Sequence, residues 1–365
     1  MTQYGDGMMD NIKTRIEVNH AFDVAKLFLS IMVIAIHMNP FGVEPALRVA
    51  QSANFWIHQW FCRIAVPLFF VMSGFLLYSK SNFKNFDTTY TKKYFKHILK
   101  LYLLWSLIYF PLALIQILRD SNGISHGILQ YISRFIFAGS YRHLWYLNAI
   151  LPSICLISFM LRKGITPKRI VLISFAFYVL GLLGDGYYGL TAPLIKIPLA
   201  EKIISTYYNV CGTTQNGMFF GLFFLSLGMY FSQVKINISA KKALLLFIFS
   251  MALLACEVFI ITKFKIAKDY GIMLCTVPAA GSCFLFLNSL RLKDRKIYNR
   301  MREASSFIYY SHIWIGWIVS NTLSLINDNL KNTPVYFLLT VIFSIVASAM
   351  VSVLKKRFSW IKIFM

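Results

Sequence analysis

Apolar residues run along this chain in ten stretches, each closed off by a short polar segment. They are Phe22–Asn39, Phe61–Tyr78, Ile98–Leu118, His143–Leu161, Ile170–Gly184, Gly217–Ser232, Ala243–Thr262, Tyr270–Leu290, Phe307–Ile326 and Val335–Leu354. A helix rising 1.5 Å per residue needs about 20 residues to cross a hydrocarbon core roughly 30 Å thick, and each stretch meets or approaches that length. The pattern predicts an all-α, polytopic membrane protein of ten transmembrane helices. MTQYGDGMMDNIKTR, at the amino terminus, holds no apolar run of the kind a signal peptide carries.

Composition agrees: 58% of the residues are hydrophobic and 14% charged. Charge sets the orientation. With the amino terminus inside, 25 of the 37 Lys and Arg fall in the inner segments 1–21, 79–97 with Lys100, 162–169, 233–242, 290–304 and 355–365. Another 11 lie in outer loops and span ends, and the last is Lys26. The positive-inside bias places both termini in the cytoplasm, in a multi-pass protein of the cell membrane. The net charge of +23 attracts anionic lipid, and the lipid bilayer is the expected partner. Basic residues scattered over five loops and a tail do not make a nucleic-acid surface. The six cysteines form no CxxC pair and suggest neither a disulfide framework nor a metal site.

Residues 1–365 read as a single transmembrane domain without a repeat of helix groups. The longest outer connection, Asp185–Asn216, carries GDGYYG and the amphipathic IPLAEKIISTYYNVCG, which predicts a re-entrant or interfacial helix roofing a cavity.

Ionisable groups within spans are expensive and mark candidate sites. Lys26 and His37 lie eleven residues apart in the first span. That is close to three helical turns, so both project from nearly one face, about 16 Å apart along the axis. Lys93, Lys96, His97 and Lys100 share one face at the cytoplasmic entry of the third span, as a phosphorylated cofactor would require and as topogenic charge also would. His143 stands at the outer edge of the fourth span, in RHLWYLNAILP, and His312 lies about two turns into the ninth, in SSFIYYSHIWIGW. Glu257 is the only acid well inside an apolar stretch and needs a partner such as a histidine or lysine. Ser73 and Gly74 in the second span are small residues that let helices approach. Arg63, near the outer end of that span, reads as a snorkelling side chain.

Together these elements resemble the acyltransferase-3 family of ten-span membrane proteins, over the whole chain. Lys26 and His37 match its basic residue, ten residues, histidine signature, with Asp23 three residues earlier. Lys93 and Lys96 match its basic pair at the third span. Phe70, Ser73 and Gly74 match its aromatic–Ser–Gly element, and HLWYL and IYYSH match two more. AIHMNPF, RIAVPLFFVMSGF, HLWYL, GDGYYG and NGMFFGLFFLSLG are also similar to the membrane half of membrane-bound serine racemases from vancomycin-resistance clusters. The soluble racemase half of those proteins, and the C-terminal esterase-like domain of some peptidoglycan O-acetyltransferases, do not occur in this sequence. NAILPS follows HLWYL where many relatives carry acids, which leaves Glu257 as the replacement.

The resemblance implies transfer of an acyl group, usually acetyl, from cytoplasmic acetyl-CoA or another acyl-CoA to a hydroxyl at the outer face, typically on a cell-envelope saccharide. It implies His37 as general base or transient acyl carrier, with His143 orienting it and Glu257 as the acid. Lys26, Lys93, Lys96, Lys100, Ser73 and His312 are the expected coenzyme contacts. A membrane module for L-serine uptake and a non-catalytic anchor are the competing classes, and a homo-oligomer is compatible with all three. An anchor has no use for the Lys26–His37 pair.

Overall fold

The computed structural model describes residues 19–364 except 43–52, 82, 84–85, 192 and 194–195. The inner segment expected before residue 19 lies outside the described residues. Twelve helices organise the rest. They are α1 (His20–His37), α2 (Ala53–Tyr78), α3 (Thr89–Leu118), α4 (Ile124–Phe137), α5 (Trp145–Arg162), α6 (Pro167–Leu183), α7 (Pro198–Cys211), α8 (Gly217–Phe231), α9 (Ala240–Lys263), α10 (Thr276–Ser289), α11 (Lys296–Ile326) and α12 (Pro334–Arg357). No strand occurs among the described residues.

α1, α2, α3, α9, α12 and the α4–α5 stretch Ile124–Arg162 are long and apolar enough to cross a membrane. Of the remaining expected spans, α6, α8 and α10 are shorter, with 17 residues in α6 and 14 in α10. α11 has 31 residues but opens on KIYNRMRE. Solvent-facing apolar side chains band the bundle, among them Leu107, Phe249, Phe259, Leu338 and Val353. Water would not tolerate that much contiguous apolar surface, whereas lipid does.

Four helices start away from their apolar stretches. α3 and α11 begin at Thr89 and Lys296, well before their apolar runs at Ile98 and Phe307. At 30 and 31 residues they are about 45 Å long and carry polar turns beyond the hydrocarbon. α2 starts at Ala53 rather than Phe61 and includes a π-helical turn, Ile57–Phe61. α10 starts only at Thr276, because residues 270–275 are irregular. α4 is an addition to the expected elements: a 14-residue helix lies within the expected second outer connection, between the third and fourth spans.

Small residues and hydroxyls hold the bundle, as lipid supplies no hydrophobic drive between helices. A Cβ on Gly74 would meet the Leu225 carbonyl oxygen at 2.1 Å, and one on Gly228 that of Val71 at 2.0 Å, so only glycine permits the α2–α8 crossing. Ser30 Oγ donates to Ser305 O (3.0 Å), tying α1 to α11. Ser174 and Ser226 share a hydrogen bond of 2.6 Å between α6 and α8. The buried polar residues of α12, Thr340, Ser344 and Ser348, recur every four positions and face the bundle.

Candidate active site

α1 and α11 run side by side in the same direction, and this pairing aligns their polar residues in two layers. At their amino-terminal ends, Asp23 lies 3.5 Å from Arg302 Nε and 3.4 Å from His20 Nδ1, while His20 Nε2 lies 3.1 Å from Asp294. Asp23 and Arg302 are the main charged neighbours of half-buried Lys26. With Asp23 committed to Arg302 and His20, the Lys26 ammonium has no ion-pair partner within 4 Å among the described residues.

The second layer is a cluster of three imidazoles. His37 ends α1, and its ring centroid lies 5.3 Å from that of His312 and 6.4 Å from that of His143. His143 and His312 are 4.8 Å apart. Their environments differ: His143 and His312 are 1% and 0% exposed, whereas His37 is only half-buried. His37 is therefore the member a ligand can reach.

Backbone carbonyls fix two of the tautomers. A carbonyl oxygen only accepts, so the ring nitrogen facing it carries the proton. His143 Nε2 faces Tyr310 O at 3.2 Å, and His312 Nδ1 faces Tyr309 O at 2.8 Å. The other nitrogens, His143 Nδ1 and His312 Nε2, then present bare lone pairs, and both are buried without a hydrogen-bond partner. A buried unpaired acceptor costs about 1–3 kcal/mol and is a place to expect function. Here it means the cluster can accept a proton or an N–H from a group that enters it.

The α11 carbonyls are held out by inserted tyrosines. Tyr109 of α3 donates its hydroxyl to Tyr310 O (2.7 Å) and accepts from Trp314 N (3.4 Å), so it interposes in the helix ladder. Tyr309 donates to the His143 carbonyl. A row of hydroxyls continues toward α2: Ser73 Oγ bonds Tyr146 Oη at 3.0 Å, and the Tyr146 and His143 rings each lie 5.6 Å from Tyr309. Ser73 is thus joined to the histidines through two tyrosines. Tyr109, Tyr146, Tyr309 and Tyr310 were not singled out from the sequence, although HLWYL and IYYSH contain three of them.

Two expectations are changed by the structure. Glu257 is not a partner of the histidines. Its Oε1 accepts from Tyr187 Oη (2.7 Å) and Leu274 N (2.6 Å), and its Oε2 from Cys275 N (2.6 Å). It caps the start of α10, where a carboxylate complements the helix dipole and the orphan amides. Lys93, Lys96, His97 and Lys100 do share a face, but an exposed one, turned away from the buried side made by Ile98, Leu101 and Tyr102. They take no part in the contacts around Lys26 or His37.

The segment Asp185–Asn216 is tied to the α9–α10 connection, Gly189 N donating to Ile266 O and Lys268 N to Asp185 O. Burial pushes the Asp185 carboxyl up to about 6, and the nearby Asp269 charge adds to the effect. Arg63 is 16% exposed, bonded to Gln59 (Nε 2.9 Å) and 4.0 Å from Asp269, so it is a paired residue rather than a snorkelling one. The predicted helix in Asp185–Asn216 is α7, all of it at least partly exposed. Among the described residues no three His, Cys, Asp or Glu side chains are arranged to hold a metal ion.

A multi-pass helical membrane protein with a three-histidine cluster above an uncommitted lysine is the class these observations define. Comparison with known proteins gives its family: an acyltransferase domain model matches residues 19–353, and the chain belongs to that acyltransferase-3 family. It is 30% identical over 93% of its length to an amino-acid racemase of Enterococcus faecalis, covering 46% of that protein. It is 26% identical over 89% of its length to a serine/alanine racemase of Enterococcus gallinarum, covering 45% of it. The chain thus spans about half the length of the curated relatives it matches. No solved structure matches it.

Proposed function

We propose that this chain is a membrane O-acyltransferase that takes an acyl group, acetyl in the simplest case, from a cytoplasmic acyl-coenzyme A and delivers it to a hydroxyl at the outer face of the cell membrane. The observation that carries the reading is the α1 pair: a reachable His37 backed by two buried lone pairs, three turns beyond an ammonium with no ion partner. His37 takes the proton of the acceptor hydroxyl as its oxygen attacks the thioester carbonyl; the C–S bond breaks and the thiolate leaves, to be protonated as free coenzyme A. His143 and His312, fixed by backbone carbonyls, hold the His37 ring and share its proton. Lys26 meets the pantetheine arm or its phosphates, and Lys93, Lys96 and Lys100 attract the nucleotide end from the cytoplasm.

The experiment is coenzyme A binding to the purified protein. Acetyl-coenzyme A should bind, added salt should weaken it, and Lys93→Gln with Lys96→Gln should reproduce the loss. Binding that is unaffected by either change makes the cluster topogenic only; an absence of binding removes the donor and with it the transferase. Uptake of L-serine is then the better reading, since the curated relatives bear racemase names.

The reading requires ten spans with both termini inside. α6, α8 and α10 are short, and they cross with the help of flanking turns and the local thinning that packed helices permit. A membrane-impermeant thiol reagent applied from outside should label a cysteine at Ser205 in α7 and not one at Thr89, with Cys211 replaced by serine. The reverse pattern inverts the topology.

A further inference from the structure

A cavity of about 760 Å³ lies outside the histidine cluster but shares a wall with it. Its lining comes from the end of α3, one face of α4, the segment 138–142 and the end of α7. The size is that of a small-molecule site. Its chemistry is one-sided: Arg134 and Arg142 line it, along with amides and hydroxyls such as Gln116, Gln130, Asn209 and Thr213, and no carboxylate does. Neither arginine forms an ion pair among the described residues. Asp120, an acid on which the charge of Arg134 acts, is engaged by His126 (3.1 Å) and by the Asn122 amide (2.8 Å).

The shared wall is thin. Ser140, Tyr141 and Arg142 line the cavity, and the next residue is His143. Tyr141 stacks on Tyr109 at 5.0 Å, and Tyr109 in turn lies 5.0 Å from the His143 ring. Arg142 is also among the cations whose charge reaches His37. α4 supplies one side of this space and turns Ile128, Ile132 and Ile136 outward.

We infer that this cavity captures the acceptor and that the acceptor is a sugar bearing an anionic group, a carboxylate or a phosphate, gripped by Arg134 and Arg142 beside the wall behind which His143 lies. The inference rests on the transferase reading for the word acceptor, but the binding it requires stands by itself. Guanidinium forks select anionic oxygens, and the neutral amides and hydroxyls suit a polyol.

The test uses the full chain in nanodiscs of zwitterionic lipid and three sugars: N-acetylglucosamine, N-acetylmuramic acid, which adds a carboxylate-bearing ether, and N-acetylglucosamine 6-phosphate. At least one anionic sugar should bind about 10-fold or more tighter than the neutral one, as a charge-assisted pair predicts. Which of the two binds better identifies the anionic group. Arg134→Gln with Arg142→Gln should erase the preference, and each single change should reduce it; both side chains are exposed, so the fold is not at stake. Equal binding of all three, no binding of any, or a preference that survives the double change overturns the inference. Coenzyme A binding measured on the same samples separates this outcome from failure of the transferase reading: sugar selectivity without coenzyme binding sinks only the latter.

Discussion

His37→Ala is expected to lower acyl transfer by about 10²–10⁴-fold, the range set by loss of a positioned general base, while acetyl-coenzyme A affinity changes by less than about threefold. The split follows from position. His37 is the half-buried member of the cluster and the one at the end of α1, three turns from Lys26, so its loss removes the group that meets the acceptor and leaves the donor's contacts in place. Single-turnover transfer and equilibrium coenzyme binding, measured on the same preparation, give the two numbers. His312→Ala and His143→Ala should lower transfer less, because they act through His37, and they should alter its pH profile as well as its rate. Normal transfer by the His37 variant would falsify the mechanism and leave uptake as the better reading.

Much of the fold was legible because a span is written in composition. Each of the ten apolar stretches is helical over most of its length, and the amphipathic stretch in the outer connection is α7. What composition cannot mark is where a helix continues into water. The polar opening of α11 looks like a loop in the sequence, yet it is helical because the first turns need no apolar side chains once the remainder is packed. α4 escapes composition for another reason: ISHGILQYISRFIF has 14 residues, too few for a span, and its signal is an apolar face rather than an apolar run.

The site was legible in part. The spacing of Lys26 and His37 fixes their common face, and the structure adds His143 and His312 to the same place. The sequence could not reveal that Tyr109 inserts into the α11 ladder, since a tyrosine in a span resembles any interfacial aromatic. Nor could it reveal tautomers, which depend on which carbonyl each ring faces. Arg63 shows the same limit: a cation near a span end suggests lipid, whereas the α9–α10 connection supplies Asp269.

Glu257 is where residue-level reasoning chose the wrong partner, and it sets the last expected result. Its need for a partner was correct, but backbone amides at a helix start leave no mark in the sequence. Both carboxylate oxygens accept from amides, Leu274 N on Oε1 and Cys275 N on Oε2, and Tyr187 Oη adds a third donor. A glutamine has one acceptor oxygen, so Glu257→Gln must turn its NH₂ toward an N–H and lose the charge-assisted character of the rest. The expected cost is about 2–4 kcal/mol, from a buried donor left unpaired and weakened neighbours. The thermal midpoint of the purified protein should fall by several degrees, while coenzyme A affinity and transfer per folded molecule stay within about threefold of the parent. If instead the midpoint holds and transfer collapses, Glu257 returns to the catalytic machinery and its capping of α10 is incidental.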